Sequence, residues 1–238
     1  MNLKDLYKFT IEGVVIFASV FLSFYLENTR SQNKLESDKN ELVYDLTTSL
    51  ELDLKQIKSL LEILNLSNTL ITEIQNDINA NHSIYSDNEI MDKLIKISVG
   101  SSFFPNDGIF NQLIATGKFE LIKNNKLKTK LLKIFNHMKE RNYALSEEID
   151  IFNFNYRKLI MVGFRIQFSY NAFEGEFYGS QKIENFNFND NFYFSDAFFG
   201  ELSQAKIYIG NYSRILKDIE KEYESTIDLA QVENRNFN

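Results

Sequence analysis

The chain has 238 residues, with 26 basic against 33 acidic side chains for a net charge of -7, no cysteine and two histidines. That composition excludes disulfide frameworks, thiolate nucleophiles and cysteine-ligated zinc, and it argues against a histidine-rich metal site or a chain-wide cationic surface for nucleic acid. One proline and nine glycines over this length indicate a mainly helical chain with few breaks.

The first element in chain order is FTIEGVVIFASVFLSFYLEN, Phe9 to Asn28. Between Lys8 and Glu27, about 18 residues carry one charge, Glu12, which is close to the minimum for a membrane-spanning helix. Tyr7 and Phe9 at one end and Phe24 and Tyr25 at the other put amphipathic aromatics where a bilayer meets water. A secretory signal peptide fits poorly, because the apolar run is long, contains a glutamate and is followed by no small-x-small cleavage site. A buried core helix is the other alternative. Residues 1–30 are read as a retained single-pass anchor and residues 31–238 as a soluble stalk and bundle. Lys4, Lys8 and the α-amino group nearly balance Arg30, Lys34 and Lys39, so the positive-inside count does not decide orientation. The expectation adopted is a bacterial inner membrane with the soluble part in the cytoplasm.

At about 100° per residue, Glu12, Ile16, Ser19 and Ser23 fall within roughly 60° of one another, and Arg30 continues the line. An ionised carboxylate facing acyl chains is expensive, so this stripe is expected to face water or another copy of the helix. Gly13, Ala18 and Ser19 would permit close helix approach. One helix encloses nothing, so both outcomes imply a homo-oligomer, with a tetramer as one candidate count. Stripes converging on water give a narrow pore whose glutamate ring favours cations. Stripes converging on each other give a packing face in which a protonated Glu12 hydrogen-bonds its neighbour.

After the anchor, the chain runs to Ala80 without Gly or Pro, and Leu35, Leu42, Leu46, Leu50, Ile57, Leu61, Leu64, Ile71, Ile74 and Ile78 recur at helical spacings. Unbroken from the membrane, this helix would be about 110 Å long. That length suggests a stalk or coiled-coil oligomer core, with Asn33–Lys39 as the expected place for an interruption. HSIYSDN reads as a loop, NEIMDKLIKIS as a short helix and GSSFFPNDG as a break. Asn124 to about Phe154 reads as a second long helix, Ser169–Ser195 as a polar, aromatic connection, and Asp196–Gln231 as a final helix. The fold class is all-α: a transmembrane helix continuing into a long helix, followed by a helical bundle, and oligomeric.

The anchor with its early glutamate and following Asn28, leading into an acidic amphipathic helix, resembles an uncharacterised family of small membrane-anchored bacterial proteins. NDGIFNQLIATGKFELIKNNKLKTKLLKIF, Asn106 to Phe135, is similar to that family's central stretch, where a helix ending in a small-Gly pair leads into LIKN and a Lys- and Leu-rich helix. Thr29 stands where the family usually carries a tryptophan. The resemblance implies the architecture and the membrane location, and no activity.

Two constellations invite a ligand. Lys118–Arg141 carries eight basic residues against Glu120 and Glu140. Within it Lys126, Lys130, Lys133 and His137 share one helical face, and Leu127, Leu131, Ile134 and Met138 another. This is either an ordinary solvated face or a site for phosphate on a ligand or lipid headgroup. IENFNFNDNFYFSDAFF, Ile183 to Phe199, alternates Phe and Asn as an extended segment would. Phe186, Phe188, Phe192 and Tyr193 could stack bases, or plug the bundle while asparagines satisfy turns. No paired carboxylates, nucleophile elbow, phosphate loop or metal-ligand spacing occurs, so neither catalytic residues nor cofactor nor metal is expected, and the chain is not read as an enzyme. The expected function is a homo-oligomeric membrane effector with a gated pore. Its expected partners are the lipid bilayer, further copies of itself and a nucleotide or short single-stranded nucleic acid. Bacterial antiviral defence is the role suggested by analogy. The alternative is a non-conducting tether that binds a protein partner.

Overall fold

The computed structural model describes residues 3–171 and 180–235, with side chains over 11–169 and 182–234. Lys4, Tyr7, Lys8 and Phe9 of the expected membrane flank, and the middle of the expected Ser169–Ser195 connection, lie outside these described side chains.

The first helix, α1, runs from Leu3 to Asn79 as 77 residues without a break, about 115 Å at 1.5 Å per residue. The expected interruption at Asn33–Lys39 does not occur. That stretch is polar, but it contains neither Gly nor Pro, and its Lys, Leu and Glu favour helix. Two successive left-handed residues, Asn81 (φ 56°) and His82 (φ 54°), end the helix and turn the chain back. The next helix, α2 (Asp87–Lys96), is started by a capping box in which Ser86 and Glu89 exchange hydrogen bonds.

The last helix, α7 (Asp196–Arg235), lies antiparallel along the second half of α1. Lys39 contacts Glu233 (3.3 Å) at one end, Lys58 contacts Glu224 (3.2 Å) midway, and Gln75 donates to Ser203 (3.0 Å) at the other end. Between these ties, Leu46, Leu50, Ile57, Leu64, Ile71 and Ile74 of α1 are fully buried, as are Leu202, Tyr212, Leu216 and Tyr223 of α7. This corrects the stalk expectation. From Leu42 to Ile78 the Leu/Ile seam packs into the chain's own bundle, while Leu35 stays exposed.

α3 (Gly108–Ala115), a 3-10 turn (Lys118–Leu121) and α4 (Asn125–Leu132) pack at the base of the bundle, where Lys118 meets Asp38 (3.1 Å) and Lys123 meets Glu36 (2.6 Å). α4 passes through a π turn (Lys133–Met138) into α5 (Lys139–Gly163), so the expected helix continues nine residues beyond Phe154. α5 rises in the same direction as α1 and buries Ile149, Phe152, Tyr156 and Ile160 against the bundle. The break Ser98–Asn106 threads between helices, and side chains replace its missing backbone partners. Ser67 brackets Ser98, Asn153 takes Val99 N–H and Gly100 C=O, Asn142 donates to Phe103 C=O, and Asp53 accepts from Asn106 N–H. Gly100 (φ 134°) lies under the Tyr212 ring, where a Cβ would stand 2.9 Å away.

β1 (Gln167–Asn171) pairs antiparallel with β2 (Ser180–Asn185), with Phe168 opposite Ile183. The expected extended run Ile183–Phe199 therefore stops at Asn185. Asn189 then accepts from the N–H of Phe192 and starts α6 (Asp190–Tyr193), a single turn.

At the base, Glu233 accepts from Lys39 and from the backbone N–H groups of Lys123 (2.9 Å) and Asn124 (3.1 Å). The side chains of Lys39 and Glu233 are 1% and 5% exposed. Glu233→Ala removes the carboxylate facing a buried ammonium, so denaturant unfolding should show a loss of about 3 kcal/mol. Exposed Glu224→Ala should cost less than about 1 kcal/mol in the same measurement.

Candidate functional site

The apolar N-terminal segment is positioned by continuity with the rest of α1 alone. Every described side chain from Ile11 to Leu35 is exposed, and the first buried residue of α1 is Lys39. This is the one helix, among the described residues, that is long and apolar enough to cross a membrane, and none of its apolar window is buried. Glu12, Ile16, Ser19 and Ser23 keep the common face expected of them. Ser19 Oγ donates to Val15 C=O (2.8 Å), Ser23 Oγ to Ser19 C=O (2.9 Å) and Thr29 Oγ1 to Tyr25 C=O (2.9 Å). Each hydroxyl proton is thus satisfied inside its own helix, as are those of Thr48, Thr69 and Thr72 farther along α1.

At the lower half of the bundle, the π turn and α7 form a groove of about 330 Å³. Lys133, His137 and Arg141 line one wall, Asp218, Lys221 and Glu222 the other, and Met138, Ile215 and Ile219 the floor. The wider π turn offsets these side chains from the straight α-helical face that the sequence suggests. The expected four-residue phosphate face consequently divides. Lys133 and His137 reach the groove, Lys130 is turned to Glu222 (2.9 Å) and Ser225 (2.8 Å), and Lys126 points to solvent outside it. Glu222 also takes Lys133 (2.8 Å). Burial would raise its pKa, but the hydrogen bonds from Lys133 and Lys130 outweigh burial and hold it below the usual carboxylate range. Arg141 belongs to the basic run Lys118–Arg141 but not to its four-residue face, and Lys221 lies on the final helix, so spacing alone does not bring the two together. With Lys133 they give three cations against Asp218 and Glu222.

The aromatic quartet sits at the opposite end of the bundle. Glu222 and Phe198, both on α7, are separated by about 36 Å of helix, so the groove and the quartet form no common pocket. Tyr193 is fully buried. Phe164 is ringed by Phe188 (5.3 Å), Phe192 (5.1 Å) and Phe198 (5.8 Å), and Gly163 leaves room for Phe192. Phe186 and Phe188 are partly buried against the core. For Phe188, Phe192 and Tyr193 the plug describes the arrangement, since these rings already pack on one another, while Phe186 makes no ring contact with them and lines a separate surface groove.

The plug closes on a polar node that the sequence reading passed over as a loop. Asp77, fully buried, accepts from His82 Nδ1 (2.6 Å), Tyr193 OH (2.7 Å) and the N–H groups of Ile84 (2.8 Å) and Tyr85 (3.1 Å). His82 Nε2 faces Asp87 (2.8 Å), and its ring stacks on Phe188 at 4.9 Å. A carboxylate at each nitrogen favours the protonated ring, which can donate at both. Its legible signal was one of only two histidines spaced five residues from an aspartate on either side.

Comparison with protein-family models, with curated proteins and with solved structures finds no match to this chain.

Burial would lower the pKa of His82, but Asp87 and Asp77 outweigh burial and hold it above 6.5. Burial would raise Asp77, but His82, Tyr193 and the two backbone N–H groups hold it below 3.8. The histidine's stabilisation is therefore complete below pH 6.5 and lost as pH rises through its higher folded value. The aspartate's is complete above pH 3.8 and lost as pH falls through its lower folded value. The Tm advantage of the wild-type chain over His82→Gln should thus shrink from pH 5.5 to pH 9. A constant difference would contradict the node.

Proposed function

We propose that this chain is a single-pass protein of a bacterial inner membrane, whose anchors assemble as a homo-oligomer around a cation path that the cytoplasmic bundle controls. The observation that carries this reading is the uncovered anchor. Eleven large hydrophobic side chains between Ile11 and Leu26 are exposed. At about 1.5–3 kcal/mol for each such side chain moved out of water, roughly 20 kcal/mol favours a cover that the described chain does not provide. Lipid supplies it for the apolar faces. Glu12 is the one ionisable group in the span, and copies of the helix give it a water-lined or protein-lined setting. The unbroken passage of α1 into the bundle favours a retained anchor over a cleaved leader. A regulatory ligand, nucleotide or short oligonucleotide, would be held by its phosphates at Lys133, Arg141 and Lys221 rather than by stacking. Depolarisation of the cell's own membrane in defence is the role such an activity would serve. The second reading is a non-conducting tether. It draws support from the α1 seam, which is satisfied within one chain and so leaves the bundle free to act as a monomer above its anchor.

Full-length protein reconstituted in liposomes tests the proposal. The wild-type chain should be oligomeric in detergent and pass cations. Glu12→Gln, which keeps the shape and removes the charge, should stay oligomeric while flux falls severalfold. Unaltered flux from an intact Glu12→Gln oligomer would end the electrostatic pore. A monomer by light scattering would end the pore in any form.

A further inference from the structure

The outer face of α5 carries an apolar stripe that no described element covers. Ile151, Phe154 and Val162 are 63%, 71% and 77% exposed, and Tyr143 and Met161 flank them on the same side. These positions lie opposite the buried Ile149, Phe152, Tyr156 and Ile160, so the stripe is not an edge of the core. Its centre line, Ala144, Glu147, Ile151, Phe154, Lys158 and Met161, alternates spacings of three and four, the repeat by which two helices pack side by side.

The charges on this line select the occupant. Glu147 lies toward one end and Lys158 toward the other, with the two most central apolar residues between them. If a second copy packs antiparallel, Ile151 meets Phe154, Glu147 meets Lys158 and Ala144 meets Met161, and the two-fold axis repeats every pair. If it packs parallel, Glu147 meets Glu147 and Lys158 meets Lys158. Lys158 makes no ion pair with any described residue of its own chain, and Tyr143 OH donates to Glu147 (3.1 Å), holding that carboxylate beside the stripe. We infer that the outer face of α5 is a self-complementary antiparallel interface with a second copy of this chain.

The fold fixes what such a pair joins. α5 rises in the same direction as α1, so a two-fold axis perpendicular to α5 sends the two anchors out at opposite ends. Neighbours anchored side by side in one membrane cannot form this contact, so it and the assembly of anchors proposed above are alternative pairings of the same chain. The contact stands whether or not the anchors conduct.

The chain has no native cysteine, which makes cross-linking free of background. Full-length Ile151→Cys protein mixed with full-length Phe154→Cys protein in detergent should yield a cross-linked dimer. Ala144→Cys alone should yield little, because only a parallel pair brings that residue against itself. In the mixed background, Glu147→Lys or Lys158→Glu should reduce the dimer at least about fivefold, and the two changes together should restore it. All these side chains are exposed, and an unchanged Tm confirms that each variant folds. A strong Ala144→Cys dimer, no dimer from the mixed pair, or a double reversal that fails to restore it would each overturn the inference.

Discussion

The bundle is organised on one end of a single helix, whose pairing with α7 is its most extensive contact, while the other end of that helix is left bare. From Lys39 onward α1 gives its apolar positions to α7, α2, α3 and the threaded segment. Below Lys39 the same helix first shows a polar stretch, Asp38 back to Glu27, and then an exposed apolar run with a thin polar stripe. The buried Lys39–Glu233 pair marks the change of regime. Glu233 also receives the first backbone N–H groups of the Asn124 turn, so one carboxylate ties the foot of α7, the start of α4 and the base of the anchor. A buried pair is a poor source of net stability, but it rejects other registers strongly, since a slip of α7 along α1 would leave an ammonium facing hydrocarbon.

In the proposed function, that placement would give the groove a physical route to the N-terminal segment. Glu222, which clamps Lys130 and Lys133, stands three turns from Glu233 on the same helix, about 16 Å. An anion entering the groove would compete with Glu222 for Lys133. Rearranging that clamp acts on α7, and α7 is bonded to α1 where α1 leaves the bundle. No Gly or Pro interrupts α1 between Gly13 and Asn79, so rotation or tilt at Lys39 is delivered to the span without a hinge to absorb it.

Much of this was legible in the sequence because helical periodicity and the lack of breakers are local properties. The apolar N-terminal helix, its continuation through Ile78, the short helix at Asp87 and the final helix all follow from spacing alone. What the periodicity of Leu42 to Ile78 cannot state is whether its cover comes from another copy or from the same chain folding back, and the intramolecular solution prevailed. The Phe/Asn segment misled for a related reason. Its alternation suits a strand, but Asn189 caps a helical turn and Phe192 drops onto Gly163, so packing overrode pattern. The basic face was read on an ideal helix, and the π turn at Lys133–Met138 redistributed it. The Asp77–His82 node needed Tyr193, 116 residues away, to become visible.

The central claim is that α1 passes from a water-exposed bundle into a bilayer with its Glu12 stripe turned away from lipid. A scan of single cysteines from residue 11 to residue 39, in membranes and with a membrane-impermeant thiol reagent, tests it most directly. Val14, Phe17, Phe21 and Leu22 positions should be protected, Ser19 and Ser23 positions labelled, and positions beyond Leu35 labelled wherever the bundle leaves them exposed. Uniform labelling from residue 11 to residue 35 would show the helix standing in water and would contradict the account.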